Sequence, residues 1–165
     1  MKVALIMGSD SDLPRLKGAI STLKELGVEL EARVLSAHRT PAQLVEYVGQ
    51  AKEREIGVFL CAAGGAAHLA GVVAAHTIRP VIGIPMDNPP LGGLDALLAT
   101  VQMPGGVPVA SVAVGGGGPT NAALTAARIL ALSDPGLAEK LESYRADMAK
   151  KVAKKDAKLQ KELGG

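Results

Sequence analysis

The sequence predicts a doubly wound, three-layer α/β/α sandwich built on a parallel sheet, of the flavodoxin- or Rossmann-like kind. Three observations carry this expectation. Apolar runs of strand length recur as far as about residue 114, and stretches with recognisable helix ends separate them. The first, third and fifth runs are nearly continuously hydrophobic, as strands covered on both faces are. With 165 residues, 48% of them hydrophobic, the chain can bury one core of ordinary size, so a single domain is expected.

The first strand is expected over residues 2–7. Asp12 and Pro14 then open a helix that Gly27 closes: a capping side chain, a ring with no N–H to lose, and a residue at ease in left-handed backbone. A second strand over residues 29–35 alternates more than the first, and Thr40 followed by Pro41 starts the next helix. A third strand over 58–62 leads to a helix of small residues over 66–75. A fourth strand over 81–84 precedes a helix over 94–101, and a fifth over 109–114 precedes one over 120–132. The glycines at 115–118 form a turn that serves equally well as a hinge or as a ligand-facing loop. These elements place a single α/β domain in residues 1–134, the part in which any nucleotide-binding or catalytic site is expected, and an amphipathic helical extension in residues 135–165. In the extension Met148, Val152, Leu159 and Leu163 fall near one face, and Lys150, Lys151, Lys154, Lys155, Lys158 and Lys161 near others. A solvated helix that docks its apolar stripe on the body or on a neighbouring subunit is preferred to a nucleic-acid tail.

Composition removes several classes of function. The net charge is only +2, and half of the basic residues lie in the last third of the chain, so the body is near neutral and nucleic acid is not an expected partner. Phe59, Tyr47 and Tyr144 are the only aromatic residues, too few for the stacking platforms of single-strand binders. A bound base must rest on backbone and aliphatic walls. The N-terminal apolar run is too short for a signal peptide or a membrane span, and the lone Cys61 cannot form an internal disulfide, so a reducing, cytoplasmic setting and no membrane are expected. The three histidines lack thiol or carboxylate partners at helical offsets, so a structural zinc is not expected.

Ligands of an open parallel sheet bind outside the carboxyl ends of its strands, which directs attention to the loops leaving each strand. The first is Gly8-Ser9-Asp10-Ser11-Asp12, between a buried strand and a helix N-terminus. Its serines suit a phosphate and its carboxylate a ribose diol; alternatively Ser11 and Asp12 only cap the helix. The second is Ser36-Ala37-His38-Arg39-Thr40-Pro41. Arg39 can grip a phosphate in a fork, and a histidine at a ligand-binding edge can accept and return a proton near neutral pH. The third is Ala62-Ala63-Gly64-Gly65-Ala66-Ala67-His68-Leu69, whose small residues let a planar carboxylate or carbon dioxide approach backbone N–H groups; close helix-to-sheet packing is the plainer alternative. Cys61 is expected to be a buried, inert thiol, and His76 to be a structural or interfacial residue within a helix.

Together these loops resemble the family of 5-(carboxyamino)imidazole ribonucleotide mutases and the related aminoimidazole ribonucleotide carboxylases. Four segments carry the resemblance: Met7-Gly8-Ser9-Asp10-Ser11-Asp12, Ser36-Ala37-His38-Arg39-Thr40-Pro41, Ala63-Gly64-Gly65-Ala66-Ala67-His68-Leu69 and Gln102-Met103-Pro104-Gly105-Gly106-Val107-Pro108-Val109. The resemblance implies that Ser9, Ser11, Asp12, Ser36 and Arg39 hold the ribose and phosphate and that His38 is the general acid and base. It further implies that Gly64, Gly65, Ala66 and His68 surround the migrating carboxyl group. It implies a small ribonucleotide and carbon dioxide as ligands, no metal or cofactor, and a homo-octamer that shares its sites between subunits. The segment Asn88-Pro89-Pro90-Leu91-Gly92-Gly93-Leu94-Asp95 departs from the usual mutase pattern in its paired prolines and Gly92, whereas residues 102–109 look strongly like the mutase branch. A mutase is therefore expected ahead of a direct carboxylase or a nucleotide-binding module without turnover. A phosphorylatable receiver domain fails, because Cys61-Ala62-Ala63 stands where an aspartate would be needed.

Overall fold

Burial on both faces of the sheet sets the layout. In the computed structural model, which describes residues 1–164, five parallel strands form one sheet: β1 (Lys2–Met7), β2 (Leu30–Val34), β3 (Ile56–Ala63), β4 (Val81–Pro85) and β5 (Ala110–Ser111). Their order is β2-β1-β3-β4-β5. Side chains alternate across the pleat. Val3, Leu5 and Met7 of β1 join Leu60 of β3 and Ile82 of β4 in one buried layer, while Ala4 and Ile6 join Phe59 and Cys61 in the other.

Helices α1 (Leu13–Leu26) and α5 (Gly118–Ala131) cover the first layer through residues such as Leu16, Leu23, Ala122, Ala126 and Leu130. Helices α2 (Pro41–Gly49) and α3 (Leu69–Ala75) cover the second through Leu44, Tyr47, Val48, Leu69 and Val73. The α/β/α sandwich expected from the sequence is thus the fold. Helix α1 ends where Gly27 takes a left-handed φ of 71° and its N–H bonds to the Leu23 and Lys24 carbonyls. The α1–α5 contact is close enough that a Cβ on Gly18 would stand 2.7 Å from Thr120 Oγ1.

The differences from expectation fall at the sheet edges and at helix starts. Strand β5 is two residues long, with Ala110 exposed, and not a continuously buried run over 109–114. It is an edge strand flanked by Pro108 and a glycine turn, and pairs only with β4. Helix α3 starts at Leu69 and not at Ala66, since the Ala67 and His68 N–H groups close tight turns onto the Gly65 and Ala66 carbonyls, both at 2.8 Å. Thr40 does not cap α2 through its side chain; its hydroxyl is engaged with Ser36. His76 lies at the C-terminal end of α3, exposed, with Nδ1 2.8 Å from the Val72 carbonyl.

The C-terminal segment forms α6 (Pro135–Glu162), and α4 (Leu94–Val101) flanks β4. Helix α6 anchors through Leu137, with Leu141 and Tyr144 partly buried against the core, and Lys140 Nζ donates to the Leu26 carbonyl at 3.1 Å. Beyond that point Met148, Val152, Leu159 and Leu163 stand 40–73% exposed, so the apolar stripe does not dock on the body of its own chain. A 28-residue helix spans about 42 Å and outruns the surface it starts on. No helix is long and apolar enough to cross a membrane among the described residues.

Cys61 is 1% exposed in the middle of β3, and burial pushes its thiol well above the usual range. In native buffer it is expected to resist Ellman's reagent and to react in full once the protein is unfolded in guanidinium. Rapid stoichiometric labelling of the native protein would contradict this placement.

Candidate active site

The chain leaves β1 for β2 on one side of the sheet and then crosses back to place β3 on the other side of β1. Loops leaving β1 and β3 therefore diverge to opposite faces, and a crevice opens between them at the carboxyl ends of the strands. A cleft of about 360 Å³ occupies that crevice, on the scale of small-ligand pockets. Its walls come from Gly8–Asp12 after β1, Ser36–Arg39 after β2 and Ala63–Ala66 after β3. Ser9, Ser11, Asp12, Ser36, His38, Arg39, Gly64 and Ala66 all line it. Gly65 and His68 stand outside the lining, and His68 is joined to the cleft through His38.

The loops are tied to one another before any ligand enters. Ser36 Oγ accepts from the backbone N–H of His38 at 3.3 Å and of Arg39 at 3.1 Å. The Ser36 N–H donates to Thr40 Oγ1 at 2.9 Å, and that hydroxyl returns a bond to the Ser36 carbonyl at 3.2 Å. This side-chain turn fixes the backbone of the three residues between, so the point from which the His38 side chain leaves the chain is set. Arg39 reaches across the crevice and donates from Nη2 to the Gly8 carbonyl at 2.8 Å, which leaves its other guanidinium donors for an anion. On the facing loop Ser11 Oγ donates to Ser9 Oγ at 2.8 Å, and Ser9 Oγ also accepts from the Ser11 N–H, so Ser9 shapes the turn as well as lining the cleft.

His38 Nε2 and His68 Nδ1 are 2.8 Å apart, with the rings nearly perpendicular at 87°. A bond between two ring nitrogens holds one proton, so the two imidazoles cannot both be cations while the contact lasts. Both residues are exposed, and of the two only His38 lines the cleft. The turns at Ala67 and His68 consume the N–H groups expected to face a carboxylate, which confines the backbone cradle to residues 64–66. At Gly65 the cradle turns through a φ of 61°.

Asp12 is the one buried carboxylate of the cleft, at 5% exposure. It occupies the cap position of α1 without a side-chain capping bond. Burial holds its carboxyl above the usual range, with Arg15 pulling in the opposite direction. Asn88 also lines the cleft and was not expected from the sequence; it follows β4, whose carboxyl end opens into the same crevice.

A family model described as AIR carboxylase matches residues 2–151. The chain belongs to that family. It is 51% identical over 162 residues to the N5-carboxyaminoimidazole ribonucleotide mutase of Pyrococcus horikoshii, covering 98% of this chain and 90% of that protein. It is 48% identical over 159 residues to the protein of the same name from Thermotoga maritima, covering 96% and 92%. The crystal structure of Treponema denticola PurE superposes with a TM-score of 0.84 at 33% identity, over 96% of this chain and 98% of that one. In this AIR carboxylase family member the fourth motif, residues 102–109, lies away from the cleft: Met103 packs over α3, where a Cβ on Gly71 would stand 3.1 Å from its sulfur.

A raised carboxyl pKa means that folding carries a cost for the ionised form. For Asp12 the cost is absent below the ordinary value of 3.8, grows as pH rises past it, and is complete at neutrality. Asp12→Asn is therefore expected to melt at a higher temperature than the parent at pH 7, the difference shrinking as pH falls toward about 4. A lower melting temperature at pH 7, measured by scanning calorimetry, would mean that the charge is held by a favourable partner.

Proposed function

We propose that this protein is a 5-(carboxyamino)imidazole ribonucleotide mutase of purine biosynthesis, producing 4-carboxy-5-aminoimidazole ribonucleotide with His38 as the catalytic acid and base. The observation that carries the reading is the meeting of three turns at one cleft, with an imidazole that lines it and is bonded through Nε2 to His68. The mutase names of relatives about half identical over nearly the whole chain favour this reaction over direct carboxylation or binding without turnover.

In this reading Ser9, Ser11 and Arg39 take the phosphate, and Asp12 and Ser36 take the ribose. The cationic form of His38 gives its proton to the exocyclic nitrogen as the N–C bond breaks, releasing carbon dioxide and leaving the amine. Carbon dioxide stays against Gly64, Gly65 and Ala66, and the electron-rich C4 of the ring attacks it. Neutral His38 then removes the proton from C4, restoring aromaticity and returning itself to the cation. One proton circulates and nothing else is consumed, so one group that titrates near neutrality suffices. His68 acts through its bond to His38 and borders the carboxyl group.

The same reading makes the protein a cytoplasmic homo-octamer with residues 1–134 as the catalytic domain and residues 135–165 as a helical arm. Exposed apolar faces support the association: Leu94, Leu98 and Val101 on one side of α4, and the outer stripe of α6, are 40–73% exposed.

His38→Asn is expected to keep its circular dichroism spectrum and nucleotide binding while turnover falls by about a hundredfold or more. Near-normal turnover in the variant would remove His38 from the role. Turnover of the carboxyamino substrate by the parent enzyme is expected to be independent of added bicarbonate. Rates that instead require bicarbonate and aminoimidazole ribonucleotide would identify a direct carboxylase.

A further inference from the structure

We propose that Asn88 is a further substrate-binding residue, whose side-chain amide donates to the substrate's carboxylate while that group lies over the Gly64–Ala66 cradle. The inference rests on the mutase reading and adds to it a residue outside the three turns.

The placement of Asn88 is specific. Its amide nitrogen occupies the space that a Cβ on Gly64 would need, and Met86 lies beside the same point. A side chain at position 64 would have to displace the amide laid over it, and that amide overhangs the backbone proposed to receive the carboxyl group. Asn88 is half-buried in the cleft wall opposite His38's loop. A carboxylate accepts hydrogen bonds only, and a side-chain amide offers two donors without bringing a positive charge. A cation at this point would hold carbon dioxide's parent carboxylate too well as an anion; a neutral donor orients the group and lets it lose its charge when the N–C bond breaks.

Asn88 is also held from behind. Its neighbour Asp87 pairs with Arg15 of α1, Oδ1 to Nε at 2.7 Å. On its other side the Asp87 carboxylate abuts Gly115, where φ is 60° and a Cβ would stand 3.0 Å from Oδ2. The loop then doubles back through Gly92 and Gly93, with φ of 59° and 86°, and a Cβ on Gly93 would stand 2.7 Å from the Met86 carbonyl oxygen. Helix α1, the turn at Gly115 and the return of its own loop therefore hold Met86 and Asp87, the residues that lead into Asn88. Asp87 and Arg15 are positioning residues in this scheme, and Asn88 alone reaches the ligand.

The test compares binding of 4-carboxy-5-aminoimidazole ribonucleotide with that of aminoimidazole ribonucleotide, which lacks the carboxylate, by isothermal titration calorimetry on the full chain. Asn88→Ala is expected to weaken the carboxylated nucleotide roughly tenfold or more and to leave the other within about twofold, the scale of a hydrogen bond to a charged group. Asn88→Asp, nearly isosteric but anionic, is expected to weaken the carboxylated nucleotide further still, and Asn88→Gln to recover part of the loss. Asp87→Asn is expected to cost about two- to fivefold, again only for the carboxylated ligand, since the ion pair is half exposed. Unchanged affinity for both nucleotides in Asn88→Ala, or equal losses for both, overturns the inference while leaving the mutase reading intact. Failure of the parent protein to bind either nucleotide or to turn over substrate removes the mutase reading itself, and this inference with it.

Discussion

The crossing of the chain from one side of β1 to the other is the constraint on which the rest depends. Strands β2 and β3 both pair in parallel with β1, Leu5 opposite Ala32 on one side and opposite Leu60 on the other. Parallel pairing sends every strand's carboxyl end to the same edge, and the reversal in strand order parts the loops that leave there. Three loops distant in sequence are brought within one cleft by hydrogen bonds of the sheet, with no contribution from the ligand. The two hydrophobic layers then lock the register, since a one-residue slip of β1 would exchange Val3, Leu5 and Met7 with Ala4 and Ile6.

Within the cleft, polar groups serve structure and ligand at once. Ser36 uses its oxygen as an acceptor to shape the turn that carries His38, and Arg39 spends one donor on the Gly8 carbonyl. Neither use exhausts the side chain. The hydroxyl proton of Ser36 and the remaining guanidinium donors stay available, and both residues are already in place for the phosphate of the proposed substrate. Such preorganisation spares binding energy that ordering loose side chains would otherwise consume. On the proposed function it suits a protein with three aromatic residues, in which backbone and small side chains would hold the heterocycle.

The sequence made the interior legible and the margins less so. Strands β1, β3 and β4 are hydrophobic throughout because both faces are covered, and their runs are unmistakable. Edge strand β5 carries the same apolar signature over 109–114 without the burial: Pro108 and the glycines beyond Val114 limit pairing to two residues. The start of α3 was misplaced for a related reason, as Ala66, Ala67 and His68 carry no boundary signal and the tight turns at 65–68 depend on where β3 delivers the chain. The three site turns could be read from residue type and position. Asn88 could not, because its entry into the cleft depends on the return of a loop through Gly92 and Gly93 and on the Arg15–Asp87 pair, both of which are tertiary facts. The rule that ligands sit at strand carboxyl ends applied to β4 as well, and was the one available signal.

The bond between His38 and His68 sets the terms on which the proposed proton shuttle works. While the rings stay 2.8 Å apart, the pair shares one proton along that line, and a second can reside only on a nitrogen facing away from it. On the proposed reaction the exocyclic nitrogen and C4 exchange one proton through one imidazole, so the ring must alternate between cation and neutral base without turning. The proton exchanged sits on Nδ1, the nitrogen facing away from His68, so Nε2 keeps its own proton in both states, and a partner that accepts from Nε2 throughout holds the ring still. A neutral histidine acceptor orients the ring without the fixed negative charge of a carboxylate, which would favour the cation over the neutral base. Placing the second histidine directly after the glycine turn therefore keeps the acid–base group oriented through both halves of the transfer.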